Sequence, residues 1–513
     1  MADELKKISD ALRTPELNKL MYKGRFAVRM ETHRILTDGR ASRYPYPNNL
    51  SSRRTNRYLT TVISDNMMEL KSSPQQGSDN VVRQLDLLQQ TLYSELQSDE
   101  RLWPLSLPPE PVYKHDLDFL KHHSTRYWIS GHNSYLINKY GIKRQLIAGV
   151  RVNYSLNETL LRRIYELSAN QHSKSMADFR NHLYFKMAQF FYLHRWLFTY
   201  LYGASPVSPT VKHDIPDDIK HPIRSLRCSQ YGYTNRPDEQ VTYDSLESHI
   251  EQLEKLIDDG TYADYDEFFG PVRLHGDAEL MGENDNLPTM IKQGVKYLQF
   301  RIFDLDPFAL SGISADTLDF LEVLMLYGLL MPLPDNLPER LAEAKKRNNE
   351  VALEDPLKEP DWLQDAADQL MTQLEKFITD YQAPLKYKMA LKFVRRRLDD
   401  PSLTIGGQVA SQLKEDSILS FGLKIANDRY SDFLRLGHPL AEQDERFSST
   451  AHRLVMAAIK LGIEFDVGDQ IVLKVGNHKE TFAPDVKLDM PEGARQYVIA
   501  LFPEVEKELS SNE

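Results

Sequence analysis

The chain has 513 residues, 41% apolar and 27% charged, with a formal net charge of −11 and one cysteine, Cys228. That length supplies core for several domains or for one large enzyme fold. Negative charge spread along the whole sequence argues against a general nucleic-acid binder, and a single cysteine excludes an intrachain disulfide framework and fits a reducing cytosol.

The N-terminal MADELKKISDALRT lacks the apolar core of a signal peptide, so a cytoplasmic protein is expected. Phe26 to Ile35, FAVRMETHRI, alternates as a half-buried strand with Ala27, Arg29 and Glu31 on one face. Arg57 to Leu70 reads as further strand. A polar, disorder-leaning link, KSSPQQGSDN, then leads into an amphipathic helix from Val81 to Leu96. ERLWPLSLPPEPV is a proline-punctuated loop apolar enough to lie against the core. Leu146 to Leu156 reads as strand, and Lys174 to Tyr202 as a helix with one broad apolar face. A helix from Asp244 to Asp258 precedes a strand pair in FFGPVRLHG and VKYLQFRIFDLDPF.

Beyond Ser314 the pattern is almost wholly helical. The apolar run Leu318 to Leu333 carries Asp319 and Glu322 and is short for a bilayer, which predicts a buried helix and no membrane association. Asp361 to Tyr381 predicts an N-capped amphipathic helix, and short strands return around QIVLKV. With no repeat and no linker, the expectation is one α+β unit over residues 1–513, a sheet-rich front to about residue 312 and a mostly helical back.

Generic chemical motifs are missing. The sequence has no GxGxxG, no GxxxxGK[ST], no HExxH, no GxSxG and no CxxC. Of the histidines only His122 and His123 are adjacent, and neighbours on a helix or strand do not face one metal.

Seven ordered segments carry a resemblance instead. LTTVISDNMMELKSSP, ERLWPLSLPP, QLIAGVRVNYSL, LFTYLYGASPV, SLRCSQYGYTN, FFGPVRLHG and YLQFRIFDLDPF resemble the successive motifs of glutamate–cysteine ligases. The similarity is greatest to the first-step module of fused bacterial glutathione-synthesising enzymes, and it covers nearly the whole chain. It implies a curved antiparallel sheet forming an active-site funnel surrounded by helices, the glutamine-synthetase-like carboxylate–amine ligase fold. It also implies ATP and magnesium, with L-glutamate and L-cysteine joined as γ-glutamylcysteine through an acyl phosphate. Because the chain stops where the fused enzymes continue, no ATP-grasp domain for a second step is expected.

Residue by residue, the resemblance implies an altered pocket. The family's Gly-x-Glu-x-Glu becomes Ala27, Arg29 and Glu31. Its Thr-Asp, with two later acids, becomes Thr61-Val62, Asp65 and Glu69. Gly-x-His-x-Asn becomes Gly149, Arg151 and Asn153; a Tyr-Arg pair becomes His132-Asn133; and Glu-x-Arg-x-x-Asp becomes Gln299, Arg301 and Asp304. Matching positions make Arg227, Tyr233 and Asn153 substrate-binding, Arg273 and Arg301 phosphate-binding catalytic groups, and Glu31 and Glu69 the residual metal ligands. Val62, Asn133, Arg151, Gln299 and Arg29 are the replacements. An arginine about 4 Å from a magnesium ion repels it by roughly 8 kcal/mol at an effective dielectric near 20, so the full metal cluster is not expected. Arg29 and Arg151 are expected to pair with Glu31 and Glu69 instead.

Three readings stay open. One is a ligase in which guanidinium groups supply part of the metals' charge. Another is a catalytically silent relative that binds an anion or a protein partner. The last is a ligase with other amino-acid substrates, which Phe269, at a position where the family often has an aromatic hydroxyl, hints at.

Overall fold

The computed structural model describes residues 2–53, 55–122, 127–168, 175–206, 219, 221–276, 287–413, 417–436 and 445–505. His123, Lys174 and Val207, which belong to segments singled out above, lie outside them.

Its main sheet is antiparallel throughout and built from β1 (Arg25–Leu36), β2 (Leu59–Thr61), β3 (Met67–Lys71), β4 (Gln75–Gln76), β5 (Glu100–Leu102), β6 (Val150–Ser155), β7 (Val272–His275) and β8 (Tyr297–Phe303). The order is β2-β3-β1-β6-β8-β7, with β4 and β5 also pairing to β1, and the sheet does not close into a barrel. This is the α+β, antiparallel architecture expected from the sequence. Since side chains alternate between faces, Phe26, Val28, Met30, Val152, Leu298 and Phe300 share one side, all of them buried. That side is covered by helices Ser78–Tyr93 and Met176–Tyr202, with Ala315–Leu330 packed behind them. Each fully buried large apolar residue contributes about 1.5–3 kcal/mol, which makes the apolar face the main source of the sheet's stability. The opposite face is polar and carries the site.

Local signals explain the supporting helices. Ser175 begins the 176–202 helix with a capping box, its Oγ accepting from the Asp178 amide at 3.1 Å. The 315–330 helix is buried on nearly every side, as its apolar run predicted. Its two buried acids are tolerated because each has partners. Asp319 pairs with Lys386 at 2.6 Å, and Glu322 accepts from the Tyr387 hydroxyl at 2.7 Å and the Gly24 amide at 3.1 Å. Among the described residues no helix is long and apolar enough to cross a membrane.

Three expectations need correction. Arg57 to Leu70 is not one strand but a hairpin, β2 and β3 joined by a turn in which the Val62 amide donates to Met67 O at 2.9 Å. The link KSSPQQGSDN is ordered: Ser72 Oγ accepts from the Val28 amide at 2.8 Å, Gln75 and Gln76 pair with β1, and the next helix starts at Ser78. Polar composition misled there because backbone pairing, not side-chain burial, holds the segment. The helix predicted from Asp361 begins at Leu363, with Trp362 at the cap position and no side-chain cap. A second antiparallel sheet, β9 (Glu464–Val467), β10 (Ile471–Val475) and β11 (His478–Phe482), stands among the C-terminal helices where QIVLKV predicted strands.

Candidate functional site

Alternation along the strands places Arg29, Glu31, Glu69, Lys71, Arg151, Asn153, Arg273, Gln299 and Arg301 on the polar face. Register arranges them in rows across the sheet. Glu31 stands opposite Glu69, while Arg29 stands between Lys71 and Arg151. Like charges directly opposite one another repel. Opposite charges therefore meet along or diagonally between strands: Glu69 with Lys71 at 3.5 Å and Glu31 with Arg151 at 2.5 Å.

Of the two arginines expected to answer Glu31 and Glu69, Arg151 pairs with Glu31, which also accepts from the Gly149 amide at 3.1 Å. Its side chain is only 3% exposed, against 18% for Arg151. The other half of the expectation needs correction. Glu69 takes Lys71 as its direct partner, and Arg29 makes no hydrogen bond or ion pair with any described residue. Arg29 acts on Glu69 through space. Burial would raise the Glu69 carboxyl, but Lys71, Arg29 and Arg151 together hold it down at about 2. Asp65, the third acid of the altered motifs, is gripped by Arg53 at 2.5 and 3.2 Å. Each retained acid thus has its own cation.

Asn133 and Gln299, which the resemblance implies are replacements, each hydrogen-bond a neighbour. Asn133 Nδ2 donates to the carbonyls of Val62 and Ile63 at 3.3 and 3.4 Å. Gln299 Nε2 donates to Asn153 Oδ1 at 3.2 Å across the β6–β8 register.

The arginines predicted to meet anions converge from three directions. Arg227 lies under the sheet edge, donating to Ile147 O at 3.2 Å. It sits so close to Gly149 that a β-carbon there would stand 2.2 Å from its guanidinium carbon, which accounts for the glycine. Arg273 pairs with Asp266 at 2.8 Å and, against the upward push of desolvation, holds that carboxyl well below the usual range. Arg301 donates to Phe268 O at 3.1 Å and to the Tyr233 hydroxyl at 2.8 Å. Only 6% exposed, it has no carboxylate partner among the described residues. Burial, followed by Arg151, Arg273 and Arg227, pushes its pKa down to about 9, with Tyr233 opposing, and the guanidinium stays charged at pH 7. Among the described residues, six cations (Arg29, Lys71, Arg151, Arg227, Arg273 and Arg301) gather here with the carboxylates of Glu31, Glu69 and Asp266, so the wall is predominantly cationic.

Asp304 belongs elsewhere. It accepts from Ala204 N, Ser205 Oγ and Ser225 Oγ, a structural role. Phe269 stacks between Tyr140 and Tyr233. Cys228 donates its thiol to Ile302 O, and burial pushes its pKa up to about 12. Lys71 and Asp266 were missed by sequence reasoning. Lys71 was findable, two residues after Glu69 on the same strand face; Asp266, in a short turn before β7, gave no signal.

The sequence profile of glutamate–cysteine ligase matches residues 10–351. The chain belongs to the glutamate–cysteine ligase family. It is 31% identical over 446 residues to the glutathione biosynthesis bifunctional protein GshAB of Streptococcus mutans, covering 87% of this chain and 57% of that protein. The crystal structure of a bifunctional glutathione synthetase from Pasteurella multocida superposes with a TM-score of 0.79 at 27% identity, over 92% of this chain and 60% of that one. A glutamate–cysteine ligase from Francisella tularensis in complex with AMP, 22% identical, shares the fold with a TM-score of 0.69 over 80% of this chain and 89% of that one. The chain therefore spans a little over half the length of the bifunctional relatives.

Membership in this family raises the question of magnesium, which needs several oxygen ligands in near-octahedral array. Among the described residues no three histidine, cysteine, aspartate or glutamate side chains converge. Glu31 and Glu69 are taken up by Arg151 and Lys71, and Arg29 and Arg151 stand in the adjacent row. These residues do not fit a magnesium cluster.

Proposed function

We propose that the chain binds the acidic substrates of glutamate–cysteine ligation, a glutamate-like carboxylate and the phosphates of ATP, on a wall of guanidinium groups. The reaction this arrangement serves is ATP-driven joining of the glutamate γ-carboxylate to the cysteine amine, with arginine supplying charge that metal ions supply in related phosphoryl transfers. The carrying observation is Arg301. A buried guanidinium beside three others, with no ion-pair partner among the described residues, carries charge that a bound anion would balance. Arginine suits the task because its planar fork holds phosphate or carboxylate through two hydrogen bonds. Tyr233 orients Arg301, and the Asn153–Gln299 pair sits beside it on the same face.

A second reading, a catalytically silent anion binder, is favoured by the engagement of Glu31 with Arg151. Phosphate release from ATP with L-glutamate and L-cysteine, followed by a panel of other amino acids and amines, separates the two. Turnover with any pair supports the ligase. Anion binding without turnover supports the silent relative. Titration of ATP with and without magnesium tests the wall itself: affinity independent of magnesium is expected, and binding that strictly requires the metal overturns the reading.

A further inference from the structure

A second cleft opens beyond the edge of the sheet, between the 176–202 helix, the helix Leu337–Leu353 and the segment from residue 227 to 241, with a volume of about 420 Å³. That size suits a small metabolite. Its charged lining is one-sided. Arg195, Arg227, Arg301, Lys345 and Lys346 face it, and no carboxylate is among the lining residues. Glu31, Glu69, Arg151, Arg273 and Gln299 of the polar face do not line it.

Arg195 is the informative residue. It is 8% exposed, yet it makes no hydrogen bond or ion pair with any described residue. Its guanidinium lies over the Tyr192 ring at 4.0 Å, a contact that uses the π-face and leaves the N–H donors unspent. Its Nε is buried without a partner while its terminal nitrogens open onto the cleft, where an anion would take up their donors. Lys345, one face away, donates only to Gln240 Oε1, at 3.1 Å. Partial desolvation at the cleft mouth and the charge of Arg195 both lower its pKa. On the opposite wall Arg227 and Arg301 each keep a buried Nε without a partner. The floor is fixed by Asn348, which accepts from Thr199 Oγ1 and donates to Cys228 O.

We infer that this cleft is a second anion-binding site, for a small phosphate- or carboxylate-bearing metabolite held by Arg195 and Lys345 on the helix side and by Arg227 and Arg301 on the sheet side. Arg227 and Arg301 also belong to the wall on which the proposed function rests. Arg195 and Lys345 do not, so variants at these two report on the cleft alone.

The test is calorimetric titration of the full chain at low salt with inorganic phosphate and, separately, with L-glutamate, in wild type, Arg195→Met and Lys345→Gln. Each variant is expected to weaken one of the two probes tenfold or more, the loss of a charge-assisted contact. Which probe weakens identifies a phosphate or a carboxylate ligand. An affinity within twofold of wild type for both probes in either folded variant overturns the inference, as does a wild-type chain that binds neither probe. Should Arg195→Met fail to fold, Lys345→Gln decides, since that side chain lies at the surface and its replacement leaves the core untouched.

Discussion

Replacing Arg151 by methionine isolates the central ion pair. Methionine keeps much of the aliphatic packing and removes the guanidinium, leaving Glu31 with one hydrogen bond, from the Gly149 amide. Breaking a buried pair by deleting one partner typically costs about 3–5 kcal/mol, because the surviving charge is stranded. Glu31 is almost fully enclosed, whereas Arg151 keeps 18% exposure, so the expected loss is about 3 kcal/mol, the lower end of that range. Glu31→Gln in the Arg151→Met background removes the stranded charge and keeps an acceptor for Gly149. It should recover about 2 kcal/mol.

Urea unfolding of wild type, both single variants and the double variant yields the coupling energy, provided the slopes agree. With all four species measured, general loss of packing from the methionine cancels from the cycle. An Arg151→Met cost below about 1 kcal/mol, or a Glu31→Gln change that brings no recovery, refutes the claim that this pair replaces metal coordination as the site's charge balance.

Three further outcomes are expected. The double change Arg29→Glu with Arg151→His brings a third carboxylate beside Glu31 and Glu69 and removes two cations. Its melting temperature should rise with magnesium concentration where that of wild type does not, and no rise implicates Val62 and Gln299 as disabling in themselves. Glu69, held at about 2 against 4.5 for a free glutamate, binds fewer protons folded than unfolded. It therefore contributes roughly 3 kcal/mol above pH 4.5 that is lost as pH falls toward 2; Glu69→Gln should flatten acid unfolding across that window. Glu322 has the opposite sign. Burial raises it to about 7, so the folded state binds the extra proton and stability declines as pH climbs from 4.5 to 7. Glu322→Gln should remove about 3 kcal/mol of that decline in denaturant titrations at stepped pH.

Periodicity made the sheet's strands and the long helices legible, since each buries one face or stripe and the sequence shows it. The charged residues of the polar face were legible one by one, because Arg29 and Arg151 sit two residues from Glu31 and Asn153 on strands whose alternation is plain. Partner choice was not legible. Alternation puts Lys71 on the face of Glu69, but that Glu69 takes Lys71 rather than Arg29 depends on a register in which Arg29 lies between two other cations. The ordered 72–77 segment escaped for a related reason: its stability comes from backbone pairing with β1. The second cleft, assembled from a helix near residue 195, another near 345 and a loop between them, had no local signature at all.

Contacts on the polar face cross from strand to strand, Arg151 with Glu31 and Gln299 with Asn153, while Asn133 reaches in from a helix to the Val62 carbonyl. A face of carboxylates needs positive charge, and a metal ion supplies it only while bound. Guanidinium groups supply it permanently, provided each satisfies its donors and tolerates its neighbours. If arginine balances the charge here as proposed, ligand affinity falls with salt, which screens the cationic face, and is unchanged by chelator.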